Sequence, residues 1–95
     1  MTENYSYPLN PEWTTEELII VVNMWSKLEE VYEKKVDAES FLAVYHEFKQ
    51  VVKSIGEERQ LGNEFEELSG FSLYRVVKQA KLQKTGWLNR KDFVK

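Results

Sequence analysis

The sequence predicts an all-α fold: a compact, four-helix bundle-like single domain with an extended N-terminal aromatic arm. Three observations predict it. Apolar residues recur at helical spacing through residues 14–84, and no segment alternates with the period of a strand. Each apolar run is preceded by a side chain suited to cap a helix: Thr14, Asp37, Ser54 and Ser72. The chain has 95 residues, 42% hydrophobic and 14% aromatic, enough for one core and too few for two. The expected organisation over 1–95 is an arm at 1–13, four helices across 14–84 and a tail at 85–95.

The arm holds Tyr5, Tyr7 and Trp13, and Pro8 and Pro11 each push the preceding residue toward extended conformations. So much ring area in an extended segment is expected to pack across the helices, since each ring can bury about 150–250 Å². Thr14 and Glu17 read as a capping box opening a helix that runs to Glu33 or Lys34. Its apolar residues, Leu18, Ile20, Val21, Val22, Met24, Trp25, Leu28, Val31 and Tyr32, cover about 200° of the circumference. An arc that wide belongs to a central helix or to one that also meets another subunit.

Asp37 caps the second helix, which should run to about Lys53 with Phe41, Val44, Tyr45, Phe48, Val51, Val52 and Ile55 on one face. Ser54 and Glu57 suggest a second capping box, for a helix ending at Gly70 whose stripe is only Leu61, Phe65 and Leu68. Gly62 in its interior costs about 1 kcal/mol relative to alanine, so this helix relies on its neighbours. Ser72 caps the fourth helix, which runs to about Lys84 and is stopped by Gly86. The tail, with Trp87, Leu88 and Phe93 among polar residues, reads as irregular or a short helical turn. The expected core is Leu18, Val22, Trp25, Leu28, Phe41, Tyr45, Phe48, Phe65, Leu68, Val77 and Ala80.

Charge is divided along the chain. Residues 71–95 carry seven Lys/Arg against one Asp, whereas residues 1–70 carry six against fifteen acids, giving +6 and −9 within a net charge of −3. Such asymmetry bears on partners and self-association rather than on fold. Cysteine is absent, which excludes disulfides and thiolate metal sites and fits a reducing cytoplasm. Met1–Asn10 lacks the basic and apolar regions of a secretory signal, and the longest apolar run, Leu18–Val22, is far short of the roughly 20 residues that cross a bilayer. The expected location is cytoplasmic, with no membrane partner.

No constellation for catalysis is evident. The single histidine, His46, projects about 160° from the apolar face of its helix and should be solvated. His46-Glu47 begins like a zinc-protease helix, but Gln50 stands where the second histidine is needed, and Ala43 stands where a di-metal Glu-x-x-His pair needs its glutamate. Glu57, Glu58, Glu64, Glu66 and Glu67 spread around the third helix instead of converging. The glycines never form a phosphate-cradling cluster, and no serine occupies a strand-turn-helix elbow. The reading is therefore no enzyme, no cofactor and no metal.

The fourth helix carries the functional candidate. Leu73, Val76, Val77 and Ala80 form its inward face, while Tyr74, Arg75, Lys78, Lys81 and Leu82 share the outward one. That basic face, with an aromatic and a leucine interleaved, suits docking of an acidic protein partner. The alternative is RNA or DNA, with Arg and Lys on phosphates and Tyr74 stacking. Residues 65–80 also trace a helix-turn-helix outline around Gly70, but Glu66 falls where a small residue is needed and Gln79 where an apolar one is. A weak homodimer, pairing the acidic helix of one chain with the basic end of another, is weighed against a monomer.

Three segments carry a resemblance: Tyr7-Pro-Leu-Asn-Pro-Glu-Trp13-Thr-Thr-Glu-Glu17, Ala43-Val-Tyr-His-Glu-Phe-Lys49 and Glu64-Phe-Glu-Glu-Leu-Ser-Gly-Phe-Ser-Leu-Tyr-Arg-Val-Val-Lys78. Across residues 5–84 the chain resembles the YktA-like uncharacterised protein family of Gram-positive bacteria (Firmicutes). The resemblance implies a small all-helical cytoplasmic protein with no assigned activity.

Overall fold

Four helices assemble around the first of them, and a two-stranded ribbon ties the end of the chain back to its middle. The computed structural model describes residues 6–93, so expectations for Tyr5 and for the last two residues lie outside it. The helices are α1 (Thr15–Glu33), α2 (Ala38–Val51), α3 (Ile55–Ser69) and α4 (Leu73–Gln83). Strands β1 (Val36–Asp37) and β2 (Trp87–Leu88) pair antiparallel, Val36 opposite Leu88 and Asp37 opposite Trp87, and a 3-10 turn follows at Arg90–Asp92.

Each expected N-cap is in place. Thr14 and Glu17 form the reciprocal box: the Glu17 amide donates to Thr14 Oγ1 at 3.1 Å and the Thr14 amide to Glu17 Oε1 at 2.9 Å. Asp37 accepts from the Ser40 amide at 3.1 Å. Ser54 accepts from the Glu57 amide at 2.9 Å. The reciprocal bond expected from Glu57 is not among its cap contacts, so Ser54 caps singly. Gly70 closes α3 with φ +82°, a conformation that costs a residue with a Cβ about 1–2 kcal/mol, and its amide reaches the Glu66 carbonyl at 2.7 Å.

The central position of α1 covers six of the nine residues in its wide arc and leaves Leu18, Ile20 and Val22 half-buried. Val21, Met24, Trp25, Leu28, Val31 and Tyr32 are buried within the single chain. Trp25 is the hub: its ring stacks on Phe65 of α3 at 4.7 Å and meets Phe48 of α2 edge-on at 5.7 Å, so three helices share one aromatic cluster. Such pairs contribute about 0.5–1.5 kcal/mol each beyond their buried area. Met24 and Val31 need no second subunit to cover them.

The arm packs as expected. The Tyr7 ring lies edge-on to Phe65 at 5.9 Å, its hydroxyl donates to Glu29 Oε1 at 2.7 Å, and the Trp25 indole N–H donates to the Pro8 carbonyl at 3.2 Å. Burial raises the Tyr7 pKa from its usual 10 to about 12, aided by the hydrogen bond and negative charge of Glu29.

Four core expectations fail. Leu68 is 47% exposed, and Leu18, Val22 and Tyr45 are half-buried. Leu68 sits on the rim because α3 is rolled toward α4: a Cβ on Gly62 would stand 3.7 Å from Leu73, so the small residue marks the side where the next helix seats. Tyr45 keeps its hydroxyl in a polar border, donating to Glu58 Oε2 at 2.8 Å while Lys49 holds the other oxygen at 2.7 Å. Leu18 and Val22 occupy the edges of an arc wider than its neighbours cover.

Helix ends and tail also differ. Helix α2 stops at Val51, two residues early, and Ile55 opens α3 with its side chain in solvent. The tail pairs with residues just before α2 instead of being irregular, with Leu88 fully buried and the Ala38 amide bonded to the Gly86 carbonyl at 2.8 Å. Strands of two residues carry no alternation to read; they exist because burial of Val36 and Leu88 brings their backbones together.

Candidate docking face on the fourth helix

The orientation of α4 is set at its first turn. Ser72 is buried, its amide donates to the Tyr32 hydroxyl of α1 at 3.1 Å, and its Oγ accepts from the Arg75 amide at 3.2 Å, capping the helix. Tyr32 is itself clamped, stacked on Phe71 at 4.4 Å and tilted against Phe93 at 5.7 Å; burial raises its pKa, opposed by the Ser72 amide that favours the phenolate. With that end fixed, Leu73, Val76, Val77 and Ala80 face inward and are buried.

The outward side then carries all five expected residues. Tyr74 is 73% and Leu82 72% exposed, and Arg75, Lys78 and Lys81 are exposed as well. Tyr74, Lys78 and Leu82 form one row at four-residue spacing, with the Lys78 Nζ 6.0 Å from the Tyr74 ring centroid. Lys81 departs from this row: its Nζ lies 5.4 Å from the centre of the Tyr45 ring, so it edges the boundary with α2. Among the described residues the ion pairs are Lys27–Glu30 and Lys49–Glu58, and neither involves a cation of α4.

Tyr74, Arg75, Lys78 and Leu82 form one wall of an open groove of about 310 Å³. Its other side is built by Asp92 and Phe93 of the 3-10 turn, with Gln79 completing the helical wall. Sequence reasoning missed both tail residues. The available signal was Asn89 three residues before Asp92, a capping pattern: the Asn89 amide donates to Asp92 Oδ2 at 3.2 Å, and Asn89 Oδ1 accepts from the Lys91 amide at 2.9 Å. A second depression, about 410 Å³, lies on Tyr32, Glu33, Gly70, Phe71 and Arg90.

Chemistry needs convergence, and these surfaces offer little. Among the described residues no three His, Asp or Glu side chains gather as metal ligands, and no helix is long and apolar enough to cross a membrane. His46 is exposed on α2. The arrangement presents cations beside apolar surface, which is suited to binding.

The chain matches the model of an uncharacterised protein family (UPF0223) over residues 4–89, extending the sequence-based resemblance through the β ribbon. A UPF0223 protein of Enterococcus faecalis is 52% identical over 90 residues, covering 95% of this chain and 98% of that protein. Similar proteins of Streptococcus sanguinis and Listeria welshimeri are 50% and 51% identical, over 90% and 81% of this chain and 94% and 86% of theirs. The chain belongs to this uncharacterised family of Gram-positive bacteria, UPF0223.

Proposed function

We propose that this protein is a non-enzymatic, cytoplasmic interaction module whose α4 face docks an acidic protein partner. One observation carries the reading: two large apolar side chains, Tyr74 and Leu82, stand in solvent on either side of Lys78, beside Arg75, with no ion pair to either cation among the described residues. A single exposed leucine needs no explanation, but a tyrosine and a leucine two turns apart on one cationic row make a patch. The cations speed encounter with an acidic surface and set its orientation, while burial of Tyr74 and Leu82 supplies the affinity that exposed charges alone lack.

Capture from native cytoplasm, with and without nuclease, tests this. The expected result is an acidic protein retained after nuclease treatment and lost with Arg75→Glu or Lys78→Glu. Capture that disappears with nuclease, and a nucleic-acid affinity falling steeply with salt, would replace the reading with RNA or DNA binding through the same residues.

A further inference from the structure

The docking face is not a uniform strip of charge, and its asymmetry narrows what fits it. The helical wall of the groove is cationic through Arg75 and Lys78, whereas the opposite wall carries Asp92. That carboxylate accepts from the Asn89 amide at 3.2 Å, which favours its place on the far wall. Apolar surface lies on both walls: exposed Tyr74 and Leu82 flank Lys78 on the helix, and the nearly buried Phe93 lines the other side, joined to the core through Tyr32 at 5.7 Å. From Tyr74 to Leu82 the helix rises about 12 Å, the length of two turns of a helical segment or about four residues of an extended one. A volume of about 310 Å³ open along its length suits side chains presented by a peptide better than an enclosed small molecule.

We infer that the groove between α4 and the 3-10 turn seats a short peptide segment with one or two apolar anchors and carboxylates along one flank. The anchors rest between the helical wall, at Leu82 and Tyr74, and Phe93 across from it. The carboxylates lie toward Arg75 and Lys78, and Asp92 repels any placed on the other flank. Charge complementarity therefore favours acids on the helical side, and the apolar contacts separate this ligand from a merely acidic one. This rests on the docking function proposed above and goes beyond it by naming the ligand class and its polarity.

A displayed library of random 12-residue peptides, panned on the immobilised full chain, tests the inference. Enriched sequences should combine Leu, Ile, Phe or Trp with Asp or Glu. A synthetic, fluorescein-labelled representative should lose about tenfold or more in affinity when its anchor becomes serine, or when the protein carries Leu82→Ser. Asp92→Asn should tighten it by about two- to threefold by removing like charge while leaving an acceptor for the Asn89 amide. Melting of both variants should match the parent, excluding unfolding as the cause. Acidic peptides whose binding ignores Leu82→Ser and Asp92→Asn would overturn the groove while leaving an acidic docking face standing. Enrichment without acidic residues, no enrichment at all, or tighter binding of a 12-nucleotide single strand than of any peptide would overturn both.

Discussion

The N-terminal arm and helix α4 both set aromatic and apolar residues among polar ones, yet the molecule treats them oppositely. In the arm, Tyr7 finds Phe65 for its ring and Glu29 for its hydroxyl, and the backbone of Pro8 satisfies the Trp25 indole. On α4, Tyr74 and Leu82 stay more than 70% exposed, and Tyr74 meets the Lys78 ammonium only at 6.0 Å from its ring centre. Apolar content therefore does not decide whether a segment is structural. The core must offer an apolar bed together with a mate for each polar atom, because a buried hydroxyl or indole N–H left unpaired costs about 1–3 kcal/mol.

The largest effect that could break this comparison lies at the hub both regions depend on. Phe48→Ala removes a fully buried ring lying edge-on to Trp25 and should cost about 3–5 kcal/mol in urea unfolding. A loss under about 1 kcal/mol would mean that Trp25 does not organise the three helices around it.

Next comes the arm. Tyr7→Phe keeps the ring and deletes a hydrogen bond to a carboxylate on a half-buried site, so a loss of about 1–2 kcal/mol is expected. The same contact has a pH signature. Burial first, and then the bond to Glu29, raise the Tyr7 pKa to about 12, which means that the fold favours the neutral phenol. Its contribution is complete below pH 10 and is lost as pH rises through 10 to about 12. Stability of the parent should therefore fall across that window. Tyr7→Phe should fall less, though still measurably, because burial also raises Tyr45 and Tyr32. Parallel curves would show that the Tyr7 hydroxyl is neither buried nor held by Glu29.

How much of this was legible follows from where the information resides. Helix starts are local: Thr14, Asp37, Ser54 and Ser72 each bond an amide three residues on, so the sequence announces them. The outward face of α4 was legible for the same reason, since helical periodicity separates Leu73, Val76, Val77 and Ala80 from Tyr74, Arg75, Lys78 and Leu82. The rotation of α3 was not legible, because whether Leu68 or Gly62 faces inward depends on α4 seating against Gly62. Nor was the ribbon, in which Val36 and Leu88 lie some fifty residues apart. The far wall of the groove stayed hidden with it, since Asp92 and Phe93 reach α4 only after that ribbon has turned the chain back.

A smaller effect sharpens how α4 is seated. A Cβ at Gly62 would meet Leu73 at 3.7 Å, an ordinary contact, so Gly62→Ala should keep the packing and recover helix propensity. The expected change is a gain of about 0.5–1 kcal/mol in urea unfolding. A loss instead would mean that α3 and α4 approach too closely for a methyl group, with α4 more deeply embedded than its exposed row suggests.

The smallest expected effect is the one on which the comparison turns. Tyr74→Ser and Leu82→Ser remove large side chains, but each is more than 70% exposed and supports little of the core. Little buried area is lost, and the Tyr74–Lys78 contact at 6.0 Å is at the outer limit of a cation–π interaction and open to solvent. Each change should therefore alter stability by less than about 0.5 kcal/mol, as surface substitutions usually do. The paired substitution should stay within about 1 kcal/mol if the sites act independently. Serine matches tyrosine in helix propensity but falls below leucine, so any small loss should be larger at Leu82 than at Tyr74. A loss of 2 kcal/mol or more in urea unfolding would show that Tyr74 and Leu82 are covered in the folded state, as Tyr7 is, and the outward row of α4 would then join its inward face in the structural scaffold and lose its claim as the proposed docking face.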